Sequence, residues 1–263
     1  MISMKKSAVL AAFLTIIMVV SVAGLAAADS CDAASSVSSM VPVKKIPILV
    51  YHHIRSTKTY PTSTWSYKMS VSPDVFSKQL TWIKDRGYTT ISLDTYVAIM
   101  NGEITGPTKP IVLTFDDNNT TQYSLAFPEL KKNNQIGVFY LVTNRLKNKG
   151  FIPEAQVKEM SDAGMDIQSH TIDHATMTNL SLKRLDQELF ESKAALEALT
   201  GKPVRHIAYP STASNKTVRE HAAKAGYITG SIMDPRWAIQ KDDFFKLPRI
   251  MMIDTTSLSK VLP

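Results

Sequence analysis

The sequence predicts an α/β protein of parallel β/α units, with about seven repeats that fit a distorted or incomplete barrel better than an open sheet. Three observations carry that expectation. From Lys45 onward, short runs of branched and aromatic residues alternate with longer stretches whose apolar residues recur at helical spacing. The strands are spaced widely enough to leave room for a helix between most of them, as parallel pairing needs. No internal repeat and no second composition break divides the stretch from Lys45 onward, so a single domain is expected over 45–263.

A chain of 263 residues with 44% hydrophobic content can bury a sizeable core. Residues 1–28 stand apart. Lys5 and Lys6 are charged, 8–28 carry no charge, and Ala26-Ala27-Ala28 offers the small residues that a signal peptidase reads. This is a secretory signal cut before Asp29; left uncut, the same apolar run is long enough to anchor the chain in a membrane. The chain is exported on either reading, as a secreted or cell-surface protein. Residues 29–44, rich in Ser, Ala and Val, read as a linker. Cys31 is the only cysteine, which excludes an intrachain disulfide and a thiolate metal cluster. Asp29-Ser30 before it are unlike the small apolar residues that precede a lipid-modified cysteine. The formal charge of +7, about +5 without the signal, suits peripheral association with an anionic cell wall or membrane surface. No run of Lys and Arg interleaved with aromatics appears, so nucleic acid is not an expected partner. The protein is expected to act as a monomer.

In chain order, a strand over 46–51 ends at His52-His53. Ser72 caps a helix with Pro73 at its first position, and Phe76, Leu80 and Ile83 share one face before Gly87 stops it. A strand over 89–92 and a helix over 93–100 lead to a buried strand over 111–115. A helix over 122–132, a strand over 136–142, a helix over 153–163 and a strand over 165–168 follow. Leu182, Leu185, Leu189, Leu196 and Leu199 form the stripe of a long helix closed by Gly201. The chain finishes with a strand over 206–209, a helix over 218–225, and strands over 227–231 and 247–253.

Two clusters carry chemistry. The strand over 111–115 stops at Asp116-Asp117 followed by Asn118-Asn119, which places two carboxylates at the carboxyl end of a strand, where barrels and α/β sheets put their sites. On an extended backbone the two side chains point to opposite sides, so one can bind a cation while the other faces a reacting group. The strand over 165–168 runs into Ser169-His170-Thr171-Ile172-Asp173-His174. Two His four residues apart can face the same way on a helical turn or tight loop. With a strand-end carboxylate they make a His₂-carboxylate set of the kind zinc hydrolases use.

Thr114-Phe115-Asp116-Asp117, Ser169-His170-Thr171 with His174, and Ala208-Tyr209-Pro210 resemble the first three motifs of the polysaccharide deacetylases, the NodB-type catalytic domain of carbohydrate esterase family 4. The resemblance covers roughly residues 45–253. It implies a distorted (β/α)₇ barrel that removes N-acetyl or O-acetyl groups from a polysaccharide with a divalent metal, usually zinc. Carried over by position, Asp117, His170 and His174 hold the metal and Asp116 is the general base. Tyr209, Pro210 and Ser211 then lie on the substrate and oxyanion side, with a backbone N–H near Ser211 as donor. The opening Pro47-Ile48-Leu49-Val50-Tyr51-His52-His53-Ile54 is similar to a branch that includes deacetylases of poly-β-1,6-N-acetylglucosamine. In that branch the Tyr-His histidine is the general acid, which falls on His52 and leaves His53 solvated or structural. His206 and His221 have no motif support and read as surface or strand-edge residues.

The chain departs from the family pattern in places. Asn118 and Gln168 stand where Gly is usual, and Ala175 where Pro is usual; Asn tolerates left-handed backbone angles, so the turn can survive. The Arg of the third motif is missing, and Arg205 or Arg249 could stand in for it or serve as structural ion-pair partners. The late motif with a catalytic His has no counterpart near 247–253, which favours the Tyr-His branch. The expected function is metal-dependent N-deacetylation of a polysaccharide such as poly-N-acetylglucosamine or a cell-wall glycan. An O-acetyl esterase and an inactive secreted glycan-binding protein are the rival readings.

Overall fold

The computed structural model describes residues 45–58 and 61–262. The signal and linker expected over 1–28 and 29–44 lie outside the described residues. Seven strands, β1 (Ile48–Tyr51), β2 (Pro110–Asp116), β3 (Val138–Leu141), β4 (Asp166–Ser169), β5 (His206–Ala208), β6 (Thr229–Met233) and β7 (Leu247–Met251), pair with their neighbours in sequence order. Every pairing is parallel, and β1 closes the ring by pairing with both β7 and β2. The architecture is a closed (β/α)₇ barrel. Helices α1 (Pro73–Asp85), α2 (Leu93–Met100), α3 (Phe127–Lys132), α4 (Glu154–Asp162), α5 (Leu182–Thr200) and α6 (Lys216–Lys224) fill the crossovers up to β6.

The barrel is distorted at three places. β4 and β5 share one register pair, Ser169 with Ile207. Thr89–Thr90 adds a short strand beside the first residues of β2. Between β6 and β7 there is no α-helix, only a 3-10 turn at Phe244–Lys246, and Ala238–Ile239 pairs antiparallel with Lys45–Ile46. That pairing explains why the strand expected over 46–51 is split. Pro47 has no N–H to donate, and the chain changes partner across it.

Strand alternation sorts the buried side chains into two layers. Leu49, Tyr51, Leu113, Phe115, Phe139, Ile167 and Ile207 join Phe76, Leu80, Leu130, Val157 and Leu189 in the layer between barrel and helices. Ile48, Val112, Val138, Tyr140, Ala208 and Leu247 form a second cluster with Tyr96 of α2. The second set faces the lumen, because Tyr140 on β3 meets Ser231 on β6 at 3.1 Å across the barrel between strands that are not neighbours. Continued towards the carboxyl ends, this inward set turns polar.

The helices follow the sequence signals closely. Ser92 Oγ accepts the N–H of Thr95, Asn215 Oδ1 accepts that of Val218, and Gly201 closes α5 at φ 67°. Three expectations need correction. The helix expected over 122–132 opens with a π-helical turn at Gln122–Ala126, where the buried Gln122 amide donates to the carbonyls of His52 and Asp116. Leu182 is 58% exposed and lies off the core stripe of α5. His206 is fully buried rather than at the surface, with its ring between Thr229 Oγ1 and the Asp94 carboxylate. A short helix, Trp65–Lys68, and a parallel pairing of His53–Ile54 with Ser70–Val71 fill the stretch before α1, where the sequence carries no periodic signal.

Candidate active site

At the carboxyl ends of the strands, a cleft is lined by His52, Asp116, Asp117, His170, His174, Tyr209 and Ser211. The metal, base, acid and oxyanion candidates all line it except Pro210, which is buried in the turn beneath. Trp65, Met69, Thr212, Met233 and Arg249 complete the wall.

Alternation explains most of the convergence. Asp116 continues the inward set Val112 and Thr114 of β2, His52 continues Ile48 and Val50 of β1, and Arg249 continues Leu247 of β7. Asp117 would point outward on an extended backbone, but its φ is 79°. The left-handed turn swings its carboxylate round, so both Asp residues approach the same imidazole: His170 Nε2 lies 4.0 Å from Asp116 Oδ2 and 4.0 Å from Asp117 Oδ1. The expectation that they face opposite sides is therefore replaced by convergence. Asn118, at φ 43°, holds the turn by accepting the Val142 N–H at 3.2 Å on its Oδ1. The amide thus replaces the usual glycine with a side chain that fastens the bend.

Non-glycine residues with positive φ concentrate here: Asp117, Asn118, Thr171, His174, Ser211 and Thr212. Such conformations cost on the order of 1–3 kcal/mol each and persist where the surroundings over-determine them, which is typical of functional sites.

Asp117, His170 and His174 present one carboxylate oxygen and two imidazole nitrogens, all within 4.8 Å of one another. His174 Nε2 lies 3.3 Å from Asp117 Oδ1, and the two rings stand edge to face at 4.8 Å between centroids. His170 Nδ1 donates to the Ala208 carbonyl at 2.7 Å, which fixes the tautomer and leaves Nε2 with a free lone pair aimed at the carboxylates. Burial pushes His174 down to about 4 and keeps it neutral near pH 7. A neutral nitrogen is what a divalent ion requires. The donor set therefore fits a metal of the N/O-binding kind. Arg145 Nη1 also reaches Asp117 Oδ1, at 2.8 Å. Replacing His174 with Ala is expected to weaken metal occupancy strongly in the full chain, as read by elemental analysis; full retention would assign the ion elsewhere.

Asp116 is held by Arg249, whose two terminal nitrogens meet its two oxygens at 2.7 Å each. Burial pushes the Asp116 carboxyl up. The charges of Arg249 and His170, the guanidinium hydrogen bonds and His52 outweigh it and hold the group well below the usual carboxylate range. Arg249 is buried, donates also to Thr114 Oγ1 at 3.1 Å, and lies 5.2 Å from the Tyr140 ring centre. Arg249, not Arg205, thus supplies the guanidinium beside Asp116 that the third motif lacks; Arg205 pairs with Asp94, and its neighbour's N–H and its own go to Gln168 Oε1 at 2.9 Å. His52 Nε2 sits 3.9 Å from Asp116 Oδ2. Burial lowers its pKa, against the opposing charges of Asp116 and Asp117. His53 is half-buried beyond the cleft wall, and His221 pairs with Asp186 at 2.6 Å.

A closed barrel with two carboxylates, a His pair and a third His at one mouth defines a hydrolase-type site with a place for a divalent ion. The family description "Polysaccharide deacetylase" matches residues 103–230. The structure of the Streptococcus pyogenes deacetylase PplD, in complex with acetate, superposes with a TM-score of 0.78 at 30% identity, covering 84% of this chain and 98% of that one. A polysaccharide deacetylase from Bacillus cereus superposes at 0.73 with 29% identity, over 82% of this chain and 67% of that one. The poly-β-1,6-N-acetyl-D-glucosamine N-deacetylase of Staphylococcus epidermidis is 27% identical over 198 residues, 70% of this chain and 68% of its own length. The chain belongs to the polysaccharide deacetylase family.

Trp65, Met69 and Met233 were not legible as site residues. Met233 could have been found from the alternation of β6, since it shares the inward face of Ser231. Trp65 and Met69 lie in the irregular stretch between β1 and α1, where no periodicity assigns a face.

Proposed function

We propose that this protein is a secreted or cell-surface hydrolase that removes acetyl groups from an N-acetylated polysaccharide, of the poly-N-acetylglucosamine or cell-wall glycan type, with zinc as its metal. The observation that carries the reading is the convergence of His52, Asp116, Asp117, His170 and His174 on one cleft. The family, and the activity named for the Staphylococcus epidermidis relative, support the amide as the bond cleaved. Export rests on the charge and apolar pattern of residues 1–28; among the described residues no helix is long and apolar enough to cross a membrane.

When bound by Asp117, His170 and His174, a divalent ion lowers the pKa of water and polarises the acetyl carbonyl. Asp116 accepts the proton of the attacking water, and Arg249 keeps that carboxylate ionised and aligned before the reaction. The oxygen bonds to the acetyl carbon, the C–N bond breaks, and acetate and a free amine leave. Of the three residues on the oxyanion side, Tyr209 gives its N–H to Ser231 O at 3.1 Å and Pro210 has none, so Ser211 is left as the main-chain donor. Its φ of 55° bends the backbone at the cleft wall. His52 protonates the departing nitrogen. Burial favours its neutral form, and the Asp116 and Asp117 carboxylates oppose that and favour the protonated form that acts as the acid. Trp65, 67% exposed at the rim, offers an indole face to a sugar ring.

Acetate release from matched N-acetylated and O-acetylated oligosaccharides tests the reading. Turnover of the N-acetylated one supports it, and turnover of the O-acetylated one alone assigns an esterase. A general acid contributes about 10²–10⁴-fold and matters most for a basic leaving group. His52→Ala should therefore cut deacetylation severely and spare an activated aryl acetate. Equal loss on both substrates would remove His52 from the general-acid role.

A further inference from the structure

The long helix α5 carries a fully buried carboxylate, Glu188, outside the cleft. A buried Glu needs partners, and its partners here belong to the loop between the two site histidines. Glu188 Oε2 accepts the N–H of Ile172 at 2.7 Å and of Asp173 at 3.1 Å. Its Oε1 accepts from Arg184 Nη2 at 2.7 Å, one turn earlier on the same helix, and the same Arg184 nitrogen donates to the Asp173 carboxylate.

The two N–H groups it captures lie between two left-handed residues, Thr171 at φ 69° and His174 at φ 59°. A β-branched residue such as Thr171 rarely adopts that conformation, so something must hold the loop in it. The carbonyls of Thr171 and Ile172 accept from Thr143 and Asn144 on the neighbouring crossover, and Thr171 Oγ1 accepts the His174 N–H at 3.1 Å. Glu188 is the acceptor for the loop's outward donors. Without it, the buried Ile172 N–H would be left unpaired and the Asp173 N–H would lose its acceptor, and His174 would lose the fixed approach that brings its Nε2 within 3.3 Å of Asp117 Oδ1.

We propose that Glu188 is a positioning residue for the His170–His174 pair: by accepting the Ile172 and Asp173 N–H groups, it fixes the separation of the two imidazoles and thereby tunes the affinity of the site for a divalent ion. This rests on the reading that the two His residues take a metal, though the loop-holding part does not. Outer partners that fix metal ligands commonly contribute about 10–100-fold to affinity.

The test titrates the full, metal-stripped chain with Co²⁺ and reads affinity together with the visible d–d spectrum, which reports ligand geometry. Glu188→Ala should weaken Co²⁺ binding about 10–100-fold and alter the spectrum. Glu188→Gln, whose side-chain oxygen can still accept both N–H groups while its NH2 replaces the oxygen that faces Arg184, should lose less affinity than the Ala variant. A folded Glu188→Ala with parental affinity and spectrum overturns the proposal, and so does a Gln variant as impaired as the Ala variant. Should the Ala variant fail to fold, Glu188→Asp takes its place, because it keeps the charge but withdraws the acceptor; parental binding by that variant overturns the proposal equally. Hydrogen exchange on the metal-free chain separates the two readings. If the parent binds no Co²⁺, the metal reading fails, while protection of Ile172 and Asp173 in the parent and Gln variant, lost with Ala or Asp, still supports the loop-holding role. Unprotected amides in the parent end that role.

Discussion

Asp116→Asn is expected to lower acetate release from an N-acetylated oligosaccharide by about 10²–10⁴-fold while leaving metal affinity within a few-fold of the parent. The carboxylate lies 4.0 Å from His170 Nε2 and 3.9 Å from His52 Nε2, between the metal set and the proposed acid. Asn keeps the shape and can accept one hydrogen bond from Arg249, but it cannot take a proton from water. It also leaves Arg249 buried with no counter-charge, so some stability is lost as well. Rates should therefore be compared below the melting temperature of the variant. A variant that loses activity and metal together would mean that the two Asp residues share ligation.

Arg249→Met should destabilise the fold by about 3–5 kcal/mol near neutral pH, the usual cost of leaving a buried charge without its partner. Asp116 is the charge left behind, 2% exposed in the barrel lumen. The sign of the pH dependence follows from the direction of its shift. Its folded-state pKa is depressed, so the stability the pair contributes is fully present above the unfolded value of about 3.9 and declines as pH falls towards the folded value. The deficit of the variant is thus largest near neutrality and shrinks in acid. Urea unfolding of the parent, Arg249→Met and the double variant with Asp116→Asn checks this. The double variant should recover part of the loss, because no unpaired carboxylate remains. A single variant as stable as the parent at pH 7 would show that the pair is not held as described.

Much of this was legible in the sequence because it depends on local pattern. The period-two alternation of β2 and the helical stripes of α1 and α5 specify a layered α/β fold, and Ser92, Asn215 and Gly201 mark helix ends by their own chemistry. Asp116, Asp117, His170 and His174 stand out because polar clusters that stop apolar runs are local features. Arg249 could be named as a candidate, but the sequence could not choose between it and Arg205. That choice depends on barrel closure, which brings β7 across β1 to face β2. The Asp117 side chain departs from the alternation for a related reason: a single left-handed residue reverses the side that alternation predicts. Trp65 and Met69 escaped notice because an irregular crossover carries no period, and the partners of Glu188 lie on a loop that helical spacing cannot see.

The most direct test of the central claim is acetate release from an N-acetylglucosamine oligosaccharide by the full chain, stripped of metal by a chelator and then restored with one equivalent of zinc. The account predicts no release from the stripped protein and recovery near one ion per chain. Equal release with and without metal would contradict it, as would oligosaccharide binding by the zinc-restored protein with no acetate released.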